Sequence, residues 1–142
     1  MRYSAARILG ACAVVASTLS AAPAALAQGA DTTGSISCHI DYMIQNQFHS
    51  GFVANISISN TGTTPISGWT LTWSFADGQT ITSYFNGNFV QTGANVSVQS
   101  RVYDGNIAPA STLVIDVGFV GTWNNITNSI PASFALNGTT CN

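Results

Sequence analysis

The stretch Gly68-Trp69-Thr70-Leu71-Thr72-Trp73-Ser74-Phe75 decides the fold. Trp69, Leu71, Trp73 and Phe75 fall on one side of an extended chain, and Thr70, Thr72 and Ser74 fall on the other. A side-chain period of two belongs to a half-buried β-strand, whereas a helix would scatter these apolar residues around its circumference. The same alternation recurs outward from this stretch in both directions. Cys38, Ile40, Tyr42 and Ile44 follow it, as do Phe52, Ala54, Ile56 and Ile58. Further on it runs through Val96 and Val98, then Leu113, Ile115, Val117 and Phe119, and closes with Phe134 and Leu136. Asn60-Thr61-Gly62, Asp77-Gly78, Asn86-Gly87, Asp104-Gly105 and Asn137-Gly138 separate the runs, each joining a residue tolerant of left-handed backbone to a glycine. No helical periodicity of useful length follows residue 27. The pattern predicts a single all-β domain over residues 36–142, an antiparallel β-sandwich.

The first 27 residues read differently. Arg2 and Arg7 precede an apolar run, Ile8 to Leu26, that ends in Ala25-Leu26-Ala27. A short basic start, an apolar middle and a small-residue cleavage pattern mark a secretory signal peptide, and Pro23 opposes the alternative of a membrane anchor. Residues 28–35 form a polar lead-in. The processed chain carries Asp31, Asp41, Asp77, Asp104 and Asp116 against Arg101 alone. So acidic a chain has nothing to replace phosphate counterions, which excludes nucleic acid, and nothing to hold it to an anionic membrane once the leader is gone. Cys38 and Cys141 lie near opposite ends of the processed chain; in a secreted protein such a pair reads as a disulfide, with two free thiols as the alternative.

Chemical machinery is sparse. A glycosidase needs two carboxyl groups flanking one bond. Asp77 and Asp104 are accounted for as turn residues, which leaves Asp41 and Asp116 in separate strands. No Gly-x-Ser-x-Gly elbow occurs. The two histidines, His39 and His49, supply too few ligands for a metal site even with Asp41 beside His39. The chain is therefore read as non-enzymatic, with no cofactor and no metal. Four matches to the N-glycosylation pattern, at Asn55, Asn95, Asn125 and Asn137, are expected by chance in a chain so rich in Asn, Ser and Thr.

Three aromatic residues sit beside turns: Phe48, Phe85 and Tyr103. Trp69 and Trp73 belong to the core by their alternation. Counting from Ile44 would place Phe48 on the core side too. Its neighbours, Gln45-Asn46-Gln47 and His49-Ser50-Gly51, instead say that the strand has ended and the ring is exposed. An exposed planar ring among neutral amides suits the apolar face of a sugar. Trp123, inside Gly121-Thr122-Trp123-Asn124-Asn125, reads as loop-borne and as a further candidate contact.

The order Cys38-x-Ile40-x-Tyr42-x-Ile44-x-Asn46-Gln47-Phe48-x-x-Gly51-Phe52-x-Ala54-Asn55, then Ile58-Ser59-Asn60-Thr61-Gly62, Gly68 to Phe75, Gly78 to Thr82 and Phe134-x-Leu136-Asn137-Gly138-x-x-Cys141, resembles a family 2 carbohydrate-binding module of the cellulose-binding type. The resemblance implies a jelly-roll or Greek-key sandwich closed by a terminal disulfide. It implies stacking aromatics at Phe48, Phe85 and Tyr103, where most members that bind crystalline cellulose carry Trp, and polar help from Asn46 and Asn55. Ser83 stands where many members have Gln, and the region from Ile107 to Val117 is about two residues longer than usual. Gly51 matches the glycine that lets the first platform ring lie flat in cellulose-type modules. The implied role is a secreted, stand-alone, non-catalytic protein that binds an insoluble β-linked polysaccharide, cellulose or chitin. The alternative is a secreted interaction module that kept the sandwich, lost sugar binding and uses its aromatic patch for a protein partner.

Overall fold

The computed structural model describes residues 36–142. The expected leader, residues 1–27, and the lead-in, residues 28–35, lie outside the described residues. Within them the chain forms twelve strands: β1 (Cys38–Phe48), β2 (Gly51–Asn60), β3 (Ile66–Ser67), β4 (Thr70–Ser74), β5 (Thr80–Phe85), β6 (Asn88–Thr92), β7 (Asn95–Gln99), β8 (Asn106–Ile107), β9 (Ser111–Thr112), β10 (Val117–Thr122), β11 (Phe134–Leu136) and β12 (Thr139–Thr140). All pairings are antiparallel. One sheet has the order β1-β2-β10-β5, with β9 pairing β2 beyond β10. The other has the order β12-β11-β4-β7-β6, and β3 with β8 forms a small separate ribbon. Neighbours distant in sequence, such as β2 with β10 and β4 with β11, give the expected crossover sandwich.

The alternating residues build the core as read from the sequence. Phe52, Ala54, Ile56 and Ile58 of β2 and Val117 and Phe119 of β10 are fully buried, facing Leu71, Trp73, Val96 and Val98 of the other sheet. Trp73 stacks on Phe119 across the interior with ring centroids 6.1 Å apart and 23° between planes. Phe75, Phe89 and Phe134 surround the same indole. Such aromatic pairs add about 0.5–1.5 kcal/mol each beyond area burial. Burial raises the pKa of the Tyr42 hydroxyl well above its ordinary value. Trp69, equally buried, donates its indole N–H to the carbonyl of Asp104 at 2.8 Å.

One expected strand is broken. Leu113, Ile115, Val117 and Phe119 alternate in sequence, yet β10 begins only at Val117. Leu113 is buried and its N–H bonds the carbonyl of Ile58, while Ile115 is exposed. Residues 114–116 therefore bulge away from β2 between β9 and β10.

Cys38 and Cys141 are joined, with their Cα atoms 4.8 Å apart. Beside the bridge, the N–H of Asn142 bonds the carbonyl of Cys38 and the N–H of Ile40 bonds the carbonyl of Asn142, so the chain end is laced to β1. The bridge spans 103 residues, and constraint of so long a loop in the unfolded chain is worth about 4–5 kcal/mol. Replacing both cysteines by serine is expected to lower the unfolding free energy by roughly that amount, measured by urea denaturation.

Candidate functional site

The outward face of the β1-β2-β10-β5 sheet gathers most of the residues singled out above. Phe48 reaches it through a bulge. In β1 the pairing with β2 shifts between Ile44 and Asn46, so Gln45 is an extra residue. Ile44 still packs toward the core. One inserted residue reverses the parity of everything after it, so Asn46 and Phe48 point outward. The strand has not ended at Phe48, as its polar neighbours suggested; β1 continues to that residue and the bulge turns it out. A tight turn then follows, in which Ser50 takes a positive φ of 64°.

Successive rows cross this face. Phe48 lies opposite Gly51, then Thr122 and Thr80; Asn46 lies opposite Val53, then Val120 and Ser83; Met43 lies opposite Asn55, then Gly118 and Phe85. Phe48 is 49% and Phe85 39% exposed. Each ring rests on a glycine. A Cβ on Gly51 would collide with the ring of Phe48, and a Cβ on Gly118 would collide with the ring of Phe85 and come 2.8 Å from the carbonyl of Ala54. Both rings thus lie down over the neighbouring strand instead of standing off the sheet. Four residues of rise and one strand spacing put the two glycines roughly 14 Å apart. Asn55 sits next to Gly118 and Asn46 two residues before Phe48, so both amides flank the rings.

Tyr103 comes from a turn, not from the sheet, and is 62% exposed. The turn is tightly held. Asp104 accepts the N–H of Arg101 through Oδ1 at 2.7 Å and donates its own N–H to the Arg101 carbonyl, while Trp69 holds the Asp104 carbonyl from inside. Arg101 also donates from Nη2 to the carbonyl of Gly87 at 3.4 Å, which ties this turn to the one that follows Phe85. Tyr103 shares the lining of a small cleft with Leu113, Val114 and Ile115. Along β2, Phe48 lies at the level of Gly51 and Phe85 at the level of Asn55, while Leu113, which shares a cleft with Tyr103, bonds the carbonyl of Ile58.

The cellulose binding domain family matches residues 38–141. The chain belongs to the family 2 carbohydrate-binding modules. It is 35% identical over 127 residues to exoglucanase A of Cellulomonas fimi, an alignment that takes in 89% of this chain but only 14% of that enzyme. Among solved structures it is similar to the chitin-binding domain of Chi18aC from Streptomyces coelicolor, with a TM-score of 0.61 and 26% identity over 75% of this chain and 95% of that one. It is also similar to the cellulose-binding family 2 carbohydrate binding domain from ScLPMO10C, with a TM-score of 0.51 and 26% identity over 69% of this chain and 91% of that one.

In this carbohydrate-binding module Trp123 is half-buried and packs against the core, and its indole N–H donates to the Phe48 carbonyl at 2.9 Å. It props the β1–β2 hairpin from below. The same loop supplies Asn125, whose Oδ1 accepts the Ser50 N–H, and Asn128, whose amide donates to Gln47. Asp77 anchors the far end of the loop by accepting the Ser129 N–H through Oδ2 at 2.7 Å, and that bond holds its carboxyl below the usual range. Gln79, buried beside it, donates to Asn128 and to the Ser129 carbonyl. Sequence reasoning missed Gly118, the bulge at Gln45 and this brace. Gly118 had a legible signal, since a glycine inside a strand often marks a close approach.

Elsewhere on the face, Asp41 and Asp116 line a small hollow with Met43, Gln45, Asn55 and Ser57. His39 points outward opposite Ser59, and His49 lies in the hairpin turn. Two expectations follow for the module. Gly118→Ala meets backbone and is expected to cost about 1–3 kcal/mol, whereas Gly51→Ala meets only the movable Phe48 ring and is expected to cost less while shifting the ring's NMR signals. Because the Asp77 pKa is depressed, its brace contributes above the ordinary carboxylate range and is lost as pH falls through the lowered value. The Ser129 amide resonance is therefore expected to stay constant from neutral pH down to that range and to move only in more acid solution.

Proposed function

We propose that this chain is a secreted, non-catalytic module that holds an insoluble β-linked polysaccharide, cellulose or chitin, on the outward face of the β1-β2-β10-β5 sheet. Phe48, Phe85 and Tyr103 stack on sugar rings, and Asn46 and Asn55 hydrogen-bond the hydroxyls at their edges. The observation that carries this reading is the pair of half-exposed phenyl rings bedded over Gly51 and Gly118. A ring held flat presents its π face, and the axial C–H groups of a β-linked sugar present a matching apolar face. Protein cores bury rings of this size; two of them kept half-exposed and bedded on glycine serve contact with something flat.

Phe and Tyr offer less area than Trp, so each contact is modest, of the order of the 0.5–1.5 kcal/mol seen for ring pairs. A polymer compensates by offering neighbouring sites and many registers at high local concentration. Short soluble oligosaccharides bind weakly by the same account. With few charges on the face, binding depends little on ionic strength. Secretion rests on the basic, apolar and small-residue order of residues 1–27.

The test is sedimentation with microcrystalline cellulose, chitin and insoluble xylan, with Phe48→Ala/Phe85→Ala/Tyr103→Ala beside the parent. Binding to cellulose or chitin that the folded triple variant loses is expected. Equal binding by parent and variant, or none by either, would overturn the reading in favour of a protein-interaction module. Release of reducing ends during incubation would contradict the non-catalytic part.

A further inference from the structure

The stacking face reads sugar rings but not what they carry. Cellulose and chitin share backbone linkage and flat apolar faces, so Phe48 and Phe85 treat them alike. They differ in one group, a hydroxyl in cellulose and an acetamide in chitin, which projects sideways from the ring edge. Only a feature beside the stacking rings can distinguish it.

Such a feature adjoins Tyr103. A cleft of about 250 Å³ is lined by Tyr103, Asp104, Asn106, Leu113, Val114 and Ile115. Its apolar wall is the segment that departs from the expected strand. Val114 is 96% exposed and Ile115 is 43% exposed, so neither is explained by core packing. The remaining wall is polar: Asn106 is exposed, and Asp104, itself buried, has its Oδ1 committed to the Arg101 N–H. The turn that carries Tyr103 is held by Trp69, Arg101 and Asp104, so that side of the cleft is preformed.

We propose that this cleft receives the acetamido group of an N-acetylglucosamine unit and makes chitin the preferred polymer. The proposal rests on the stacking reading and deepens it. The acetamide is neutral and amphipathic in the same sense as the cleft. Its methyl group covers Val114 and Ile115, and its N–H and C=O face the polar side with Asn106. A cellulose hydroxyl in that place leaves the apolar wall wet and contributes no methyl contact. One methyl group in an apolar pocket is worth about tenfold in discrimination at the low end, the appropriate end for an open cleft.

The experiment compares binding isotherms on crystalline chitin and crystalline cellulose for the parent, for Val114→Ser/Ile115→Ser and for Phe48→Ala/Phe85→Ala. Val114 and Ile115 are exposed, so the serine variant is expected to fold; Asn106→Ala gives an independent probe of the polar side. The parent is expected to bind chitin about tenfold more tightly than cellulose. The serine variant is expected to bring chitin down to the cellulose level while its cellulose binding stays unchanged. Equal parental binding to both polymers, or an unaltered chitin preference in both the serine and Asn106→Ala variants, would overturn the cleft proposal while leaving the stacking face intact. Loss of neither polymer in Phe48→Ala/Phe85→Ala would overturn the stacking reading itself.

Discussion

Trp73 against Phe119 is the contact on which the rest depends. It joins the central strand of one sheet, β4, to the strand that carries Gly118 on its opposite face. β10 is thereby fixed from below by a buried aromatic stack, and from the sides by β2 and β5. A strand held this firmly can spare a side chain on its outer surface. Gly118 is that omission, and the Phe85 ring occupies the space. Without the inner stack, a glycine at this point would weaken the strand and gain nothing.

The Phe48 end is built by other means. There β1 and β2 meet at a tight turn. Support comes from polar groups: the Trp123 indole on the Phe48 carbonyl, Asn125 on Ser50 and Asn128 on Gln47. Asp77 and Gln79 in turn hold the loop that supplies them. The face therefore has a hydrophobically backed end and a hydrogen-bonded end. Tyr103 adds a third kind of support, a turn pinned by a buried indole and tied to the neighbouring turn by Arg101. The three rings are thus carried by segments held in three different ways.

Much of this is legible in the sequence. Period-two alternation named nearly every buried residue, because burial on one face of a strand leaves a direct mark on sequence. The candidate rings were found from their turn-side positions and polar neighbours, and Gly51 was picked out beside the first. The exposure of Phe48 has a cause other than its polar neighbours suggest. They imply that the strand ends, whereas the strand continues and one bulged residue reverses its parity. A bulge is defined by the pairing of two strands, so neither strand alone encodes it plainly. Alternation places Ile115 inward for the same reason; it assumes an unbroken strand, and residues 114–116 leave the ladder.

Sequence by itself determined the all-β class, the inward residues of most strands, the cysteine pair and the candidate rings, since each rests on local chemistry or on a period within one segment. Tertiary structure alone decided that Gly118, 33 positions after Phe85, lies under its ring. It alone brought the Trp123 indole to the Phe48 carbonyl and set Tyr103 beside a cleft shared with Val114 and Ile115. Those relations arise where separate strands meet, and only the register of the folded sheets brings residues so distant in the chain into contact.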